Sequence, residues 1–305
     1  MLRKDMHEDN RRSWNAATDA HNSHKADQAA FFREGGSTLY PDEVELLGDI
    51  KGKSLVHLQC NSGQDTLSLA RLGATVTGVD ISDSAINFAQ QLSADTGIPA
   101  QFVRSDLYDW FEQASQQGEK FDIAFCSYGA IIWLSDIGAW AKGVASILKP
   151  GGKIVVLDFH PYPMTFNWDW KPEFSYFNGQ QGQHFDNGVG DYVAMSGSIL
   201  APSGYLEGTK DFVNPHPGHE FNWSVSEIIT ALLQAGLALK TFKEYPYFNG
   251  AKLFNDMREG ENGRIYPPAH IPDLPLMYGI VAEKEKTLAG GPMSMSRSFH
   301  WQLCE

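Results

Sequence analysis

The 305-residue chain holds three cysteines, Cys60, Cys126 and Cys304, and they are scattered. That is too few for a disulfide framework. No apolar run approaches the roughly 18 residues that a membrane-spanning helix needs. The first dozen residues, Met1 to Arg12, are charged and lack the apolar stretch of a signal peptide. A cytoplasmic protein is expected. Basic charge is scarce too: 24 lysines and arginines stand against 37 acids, leaving a net charge of −13. Nucleic-acid binding draws most of its free energy from phosphate contacts made by a basic surface. A field of the opposite sign repels a polyanion, so nucleic acid is not expected as a partner. What is present is 42% hydrophobic and 20% charged residues, an ordinary globular composition on a chain long enough to bury a sizeable core.

Organisation follows from periodicity. Residues 1–38 read as an irregular or helical lead-in with Trp14, a helix-prone stretch over 22–33 and a break at Gly35-Gly36. Pro41 starts a short helix with Asp42, Glu43 and Glu45 in its first turns, where the helix dipole favours negative charge. A regular alternation begins at Lys51. Strands are predicted over 54–58, 75–80, 100–103, 121–126 and 153–159. Helices are predicted over 65–72, after a Ser82 cap, and over 137–148. Such alternation implies right-handed βαβ units and a mostly parallel sheet. Residues 160–222 are rich in aromatics and glycine without a clear period, and read as an inserted cap. A helix over 224–235 and strands over 239–245 and 275–282 complete a main domain of 39–284. The remaining 285–305 read as a loosely held tail.

The chemistry concentrates at Val56-His57-Leu58-Gln59-Cys60-Asn61-Ser62-Gly63-Gln64-Asp65. A strand ends, the chain turns tightly and a helix begins, presenting free N–H groups at a helix N-terminus. Only Gly63 is glycine, whereas a dinucleotide fingerprint needs three so that a pyrophosphate can approach. Asn61 can take the left-handed conformation in a glycine's place. The second strand ends in Asp80, followed by Ile81, a carboxylate suited to two ribose hydroxyls. The third leads into Arg104-Ser105-Asp106-Leu107, an acid at the same edge that can accept from an adenine amino group. The fourth ends in Cys126-Ser127-Tyr128-Gly129. All these tips lie on the carboxyl edge of a parallel sheet, where such folds bind ligands.

With Leu148-Lys149-Pro150-Gly151-Gly152 before the fifth strand, this order of turn, ribose acid and adenine acid resembles the class I S-adenosylmethionine-dependent methyltransferases. The stretch 58–74, Trp133-Leu134-Ser135-Asp136-Ile137, His160-Pro161, the stretch 223–236 and Leu274-Pro275-Leu276-Met277 are similar to a bacterial small-molecule subgroup. The likeness runs over about residues 11–284. It implies a Rossmann-like, seven-stranded, mostly parallel sheet with its last strand antiparallel, helices on both faces and an aromatic-rich cap after the fifth strand. It also implies methyl transfer from S-adenosylmethionine to a small molecule by in-line displacement, with S-adenosylhomocysteine as product. Gln59, Cys60, Asn61, Gly63, Asp80, Ile81, Asp106, Leu107, Ser127 and Tyr128 fall at the implied cofactor. Two departures stand out. The family loop has glycine where Gln59 and Asn61 stand, and commonly an acid where His57 stands.

His160 directly follows the fifth strand, which makes it a candidate base with Tyr128 orienting the acceptor; a hydrogen-bonded structural histidine is the other reading. Trp133, Phe166, Trp168 and Tyr176 are the first choices for a pocket that takes a flat or apolar acceptor. Aromatic faces there attract a methylsulfonium by about 0.5 to 2 kcal/mol. His216, His219 and Glu220 suggest a metal, but Pro215, Pro217 and Gly218 prevent a shared helical face, and no metal is expected. Cys60 and Cys126 read as buried structural thiols. Two other functions stay open: a non-catalytic, cofactor-binding regulatory protein, and a nicotinamide-dependent oxidoreductase, which would need the glycine-rich turn this loop lacks.

Overall fold

The computed structural model describes residues 2–286, so the expected tail lies outside the described residues from 287 on. Seven strands form the central sheet: β1 (Ser54–Leu58), β2 (Thr75–Asp80), β3 (Gln101–Arg104), β4 (Phe121–Ser127), β5 (Leu148–Phe159), β6 (Leu237–Tyr245) and β7 (Met277–Lys284). Their order is β3-β2-β1-β4-β5-β7-β6. Neighbours from β3 to β5 run parallel, while β7 is antiparallel to both β5 and β6. The middle strands are nearly continuous apolar runs because both their faces are covered. On β1, Val56 and Leu58 enter one core and Leu55 the other, as strand alternation requires.

Nine helices are assigned among the described residues: α1 (Lys4–Ser23), α2 (Gln28–Arg33), α3 (Pro41–Leu47), α4 (Gln64–Arg71), α5 (Asp83–Thr96), α6 (Leu107–Gln117), α7 (Ile137–Ile147), α8 (Tyr192–Ser196) and α9 (Val225–Gln234). Trp110 and Phe111 of α6, Trp140 and Val144 of α7 and Ile228 and Leu232 of α9 pack on one face of the sheet. Leu46 and Leu47 of α3 and Leu69 of α4 pack on the other. Ser82 caps α5 by accepting from the Ala85 N–H at 3.1 Å. Ser224 and Glu227 form a capping box on α9. No helix among the described residues is long and apolar enough to cross a membrane.

Three elements differ from the sequence pattern. The lead-in is a 20-residue helix, α1, and the helix expected over 22–33 is split. Asp27 restarts the chain as the cap of α2, accepting from the Ala30 N–H at 2.8 Å. Between the two helices, Lys25 bridges to Tyr205 of the cap. The pattern predicts nothing over 107–117, yet α6 buries Leu107, Trp110, Phe111 and Ala114 at helical spacing. Nor does it predict the three-stranded antiparallel sheet of Phe248–Asn249, Arg258–Glu259 and Arg264–Tyr266, inserted between β6 and β7. The cap over 160–222 carries α8 and a two-stranded antiparallel sheet that pairs Gln183–Phe185 with Gly218–Glu220.

Candidate active site

The turn after β1 is left-handed at Gln59 (φ 55°), Asn61 (φ 47°) and Gly63 (φ 77°). Non-glycine residues in that region cost of order 1 kcal/mol each and persist only when their surroundings fix them. Here the side chains are tied down. Gln59 Nε2 donates to Ala130 O at 2.9 Å, and Asn61 Oδ1 accepts from the Ser62 N–H at 2.6 Å. The Asn61 N–H donates to Asp80 Oδ2 at 2.8 Å, and the Ser82 N–H to Asp80 Oδ1 at 2.8 Å. Burial outweighs these bonds and pushes the Asp80 carboxyl up to about 6.

Gly63 stands where the family resemblance implies the cofactor turn. It does not line the cavity. A Cβ there would lie 2.6 Å from Ala89 Cβ and 2.8 Å from the Phe102 ring, so the requirement comes from packing between α5 and β3. Cys60 is buried, and burial first, then Asp80, raises its thiol well above the usual range.

Asp106 has partners of its own. Its Oδ1 caps α6 by accepting from the Tyr108 N–H at 2.9 Å and from Lys4 Nζ at 2.7 Å. Its Oδ2 accepts from His7 Nδ1 at 2.7 Å. Burial raises this carboxyl, but the bonds from His7 and Lys4 win and hold it at about 2. Asp106 borders the cavity, and both its oxygens already anchor α1. Ile81 and Leu107 line the same wall.

The tip of β4 is fixed from below by Asp158, which sequence reasoning did not single out. Its carboxylate accepts from the backbone N–H groups of Gly129, Ala130 (3.2 Å), Ile131 (2.9 Å) and Phe159 (2.7 Å). Burial pushes it up to about 6. Tyr128 (φ 36°) accepts from Asn249 Nδ2 at 3.0 Å through its hydroxyl, and burial, then Glu43, raises that hydroxyl well above 10. Ser127 Oγ lies 3.4 Å from His57 Nε2, and His57 Nδ1 lies 2.9 Å from Thr66 Oγ1. Burial lowers His57 to about 3, so a neutral ring stands where the family commonly has an acid.

His160 is not brought to this site. Its Nδ1 accepts from the Tyr162 N–H at 3.1 Å, and its Nε2 reaches Glu244 Oε1 on β6 at 3.2 Å. The cavity wall includes Phe159 and Pro161 but not His160, whose two ring nitrogens both have protein partners. Tyr176 is likewise outside the wall: its hydroxyl accepts from the Val225 N–H at 3.4 Å. Trp133, Phe166 and Trp168 do line the cavity. The Trp133 ring meets Trp14 edge-on at 5.4 Å, and Trp168 is 55% exposed.

The cavity holds about 1420 Å³, room for two small molecules side by side. Sequence reasoning missed much of its roof. His7, Asn10, Trp14 and His21 lie on one face of α1, a spacing that was readable once α1 is taken as a helix. Asn22 Nδ2 donates to Ser62 Oγ at 3.0 Å and Gln64 Nε2 to Gln28 Oε1 at 2.8 Å, closing α1 and α2 over the turn. His21 Nε2 donates to Gly190 O at 2.9 Å, leaving Nδ1 buried without a partner; Gln59 Oε1 is in the same state. Burial lowers Lys25 to about 8, with Asp65 opposing. Among the described residues the wall carries seven carboxylates (Asp65, Asp80, Asp106, Asp158, Asp169, Glu173 and Glu220), one lysine (Lys25) and no arginine. His219, once considered with His216 and Glu220 for a metal, meets Asp9 Oδ2 at 3.1 Å.

Comparison with known proteins agrees with this geometry. Residues 56–152 match a family model described as a methyltransferase domain. A ubiquinone biosynthesis O-methyltransferase of Methylobacterium nodulans is 31% identical over 34% of this chain and 39% of its own. One of Xanthomonas euvesicatoria is 28% identical over 42% of this chain and 53% of its own. This chain therefore matches about half, or less, of such relatives. Among solved structures, an S-adenosylmethionine-dependent methyltransferase of Mesorhizobium loti aligns over 83% of this chain and all of its own, with a TM-score of 0.52 at 18% identity. Another from Clostridium acetobutylicum aligns over 85% of this chain and 91% of its own, with a TM-score of 0.51 at 15% identity. The fold is the Rossmann-like fold of the class I S-adenosylmethionine-dependent methyltransferases, with the expected sheet and its antiparallel strand.

Proposed function

From the match of residues 56–152 to a methyltransferase domain, on this fold, we propose that the chain transfers a methyl group from S-adenosylmethionine to a small-molecule acceptor held in the same cavity. The observation that carries the reading is the charge of that wall, seven carboxylates against one lysine, around a turn with a single glycine. S-adenosylmethionine brings a sulfonium and an ammonium against one carboxylate, and suits such a field. A nicotinamide dinucleotide brings a doubly charged pyrophosphate and does not.

The residues present fit the methyl donor. Asp80 stands ready to hold ribose hydroxyls, with Ile81 and Leu107 beside the adenine. The unpartnered Gln59 Oε1 and His21 Nδ1 suit donors at its amino-acid end, and Lys25 suits the carboxylate. Bound there, it supplies a methyl group already activated on a sulfonium. The chain contributes positioning, worth up to roughly 7 to 11 kcal/mol in favourable cases. Residues up to 38 and the cap over 160–222 close the cavity and serve as its lid. Trp133 and Phe166 suit a flat or apolar acceptor. The O-methyltransferase names of the matched relatives support a small molecule, and the net charge of −13 argues against nucleic acid. The free, buried thiols of Cys60 and Cys126 suit a reducing compartment, the cytoplasm.

Native mass spectrometry of the purified chain with S-adenosylhomocysteine, and separately with NAD, tests this reading. A one-to-one adduct with the first and none with the second is expected. An adduct with NAD alone would overturn the assignment, as would no adduct with either well above micromolar concentration.

A further inference from the structure

Six of the seven wall carboxylates have protein partners. Asp65 accepts from Thr38 Oγ1 at 2.5 Å, Asp169 from Asn255 Nδ2 at 2.8 Å and Glu173 from Asn167 Nδ2 at 2.9 Å. Asp80, Asp106 and Asp158 are held as described above. Glu220 has no partner among the described residues, although its side chain is half-buried and lines the cavity. Burial alone pushes it up to about 7.

The two-stranded sheet of the cap fixes where Glu220 sits. Its backbone pairs with Gln183, and the next residue, Phe221, donates its N–H to Ile132 O at 2.7 Å. That bond sets Glu220 against the Ile131–Trp133 turn, just beyond the tip of β4. The titratable groups on the elements packed against it are engaged elsewhere: His7 with Asp106, Asp9 with His219 and His184 with Asp186. Glu220 is thus a half-buried carboxylate on the cavity wall that holds no part of the fold in place. Such a group is explained when a ligand supplies the missing partner.

We propose that Glu220 is the specificity-determining contact for the acceptor. It takes an N–H or O–H donor, best a cationic amine, from a molecule whose apolar part lies on Trp133 and Phe166, and it turns away acceptors that bring a carboxylate or phosphate there. The inference deepens the methyl-transfer reading and rests on it.

Tyramine and 3-(4-hydroxyphenyl)propionate share a phenol and a two-carbon arm and differ in the charge at its end. Both are titrated calorimetrically at pH 8 into the protein loaded with S-adenosylhomocysteine, and into its Glu220→Gln and Glu220→Ala variants. Tyramine is expected to bind the wild type at least about tenfold more tightly than the propionate, as a charge-assisted contact implies. In both variants the two probes fall within about threefold, while S-adenosylhomocysteine affinity stays within threefold of wild type. Equal binding of the probes by the wild type overturns the proposal, and so does a preference that survives in the variants, or no binding of either probe at millimolar concentration. Failure of S-adenosylhomocysteine to load counts against the methyl-donor reading instead. The same titrations on the unloaded protein then still read the preference set by Glu220.

Discussion

The two sides of the cavity are built differently. On the side of β1 to β3, the groups sit on strand tips and turns that local sequence marks: Asp80 ends β2 and takes the Asn61 and Ser82 N–H groups, and Gln59 stands in the left-handed turn after β1, its amide reaching Ala130. On the cap side, Glu220, Trp133 and Trp14 line one cavity only because a two-stranded sheet, a short turn and α1 are brought together from distant parts of the chain. The donor side therefore has satisfied acids and a family match. The acceptor side has an unsatisfied acid and aromatic walls. The lesson is that the donor side stands on elements that local sequence marks, whereas the cap side is assembled by long-range contacts.

The largest expected effect falls on Asp158, which belongs to both sides because it holds the tip of β4. Asp158→Ala leaves backbone N–H groups from Gly129 to Ile131 without an acceptor and is expected to cost about 3 kcal/mol or more in urea unfolding. A loss below about 1 kcal/mol would show that the carboxylate is not what fixes the turn.

Next comes Gly63→Ala, which combines a left-handed φ with contacts to Ala89 and Phe102. A loss of about 2 kcal/mol is expected, with S-adenosylhomocysteine affinity of the folded protein kept within threefold. Lost affinity with unchanged stability would return Gly63 to a ligand-contact role.

A smaller effect is the acid response of Asp106. Its carboxyl lies near 2, below its ordinary value of 3.8. Its stabilisation, about 2 kcal/mol, is therefore fully present above about pH 5 and lost as pH falls through 4 towards 2. Acid unfolding of Asp106→Asn should lack this part of the slope. An identical slope would mean that α1 is not anchored there.

How much of this was legible in the sequence follows the same division. The strand-turn-helix order, Asp80 and the Ser82 cap were readable because period and punctuation are local signals. α6 was readable as well, since Leu107, Trp110, Phe111 and Ala114 keep helical spacing, but the acid before it drew attention to the strand tip alone. His160 follows β5 as expected, yet its N–H pairs with Leu276 and its ring turns to Glu244 on β6. That direction depends on β7 lying between β5 and β6, which no local pattern encodes. Glu220 stood beside two histidines that suggested a metal. Strand alternation in the cap's two-stranded sheet separates it from His219, and Glu220 lines the cavity instead.

The most direct test of the division is calorimetric titration of S-adenosylhomocysteine into Asp80→Ala and Glu220→Gln. The account predicts that affinity falls by one to two powers of ten in the first, because hydrogen bonds to a charged group contribute about 1.5 to 3 kcal/mol, and stays within threefold of wild type in the second. Equal losses in both, or none in Asp80→Ala, would contradict it.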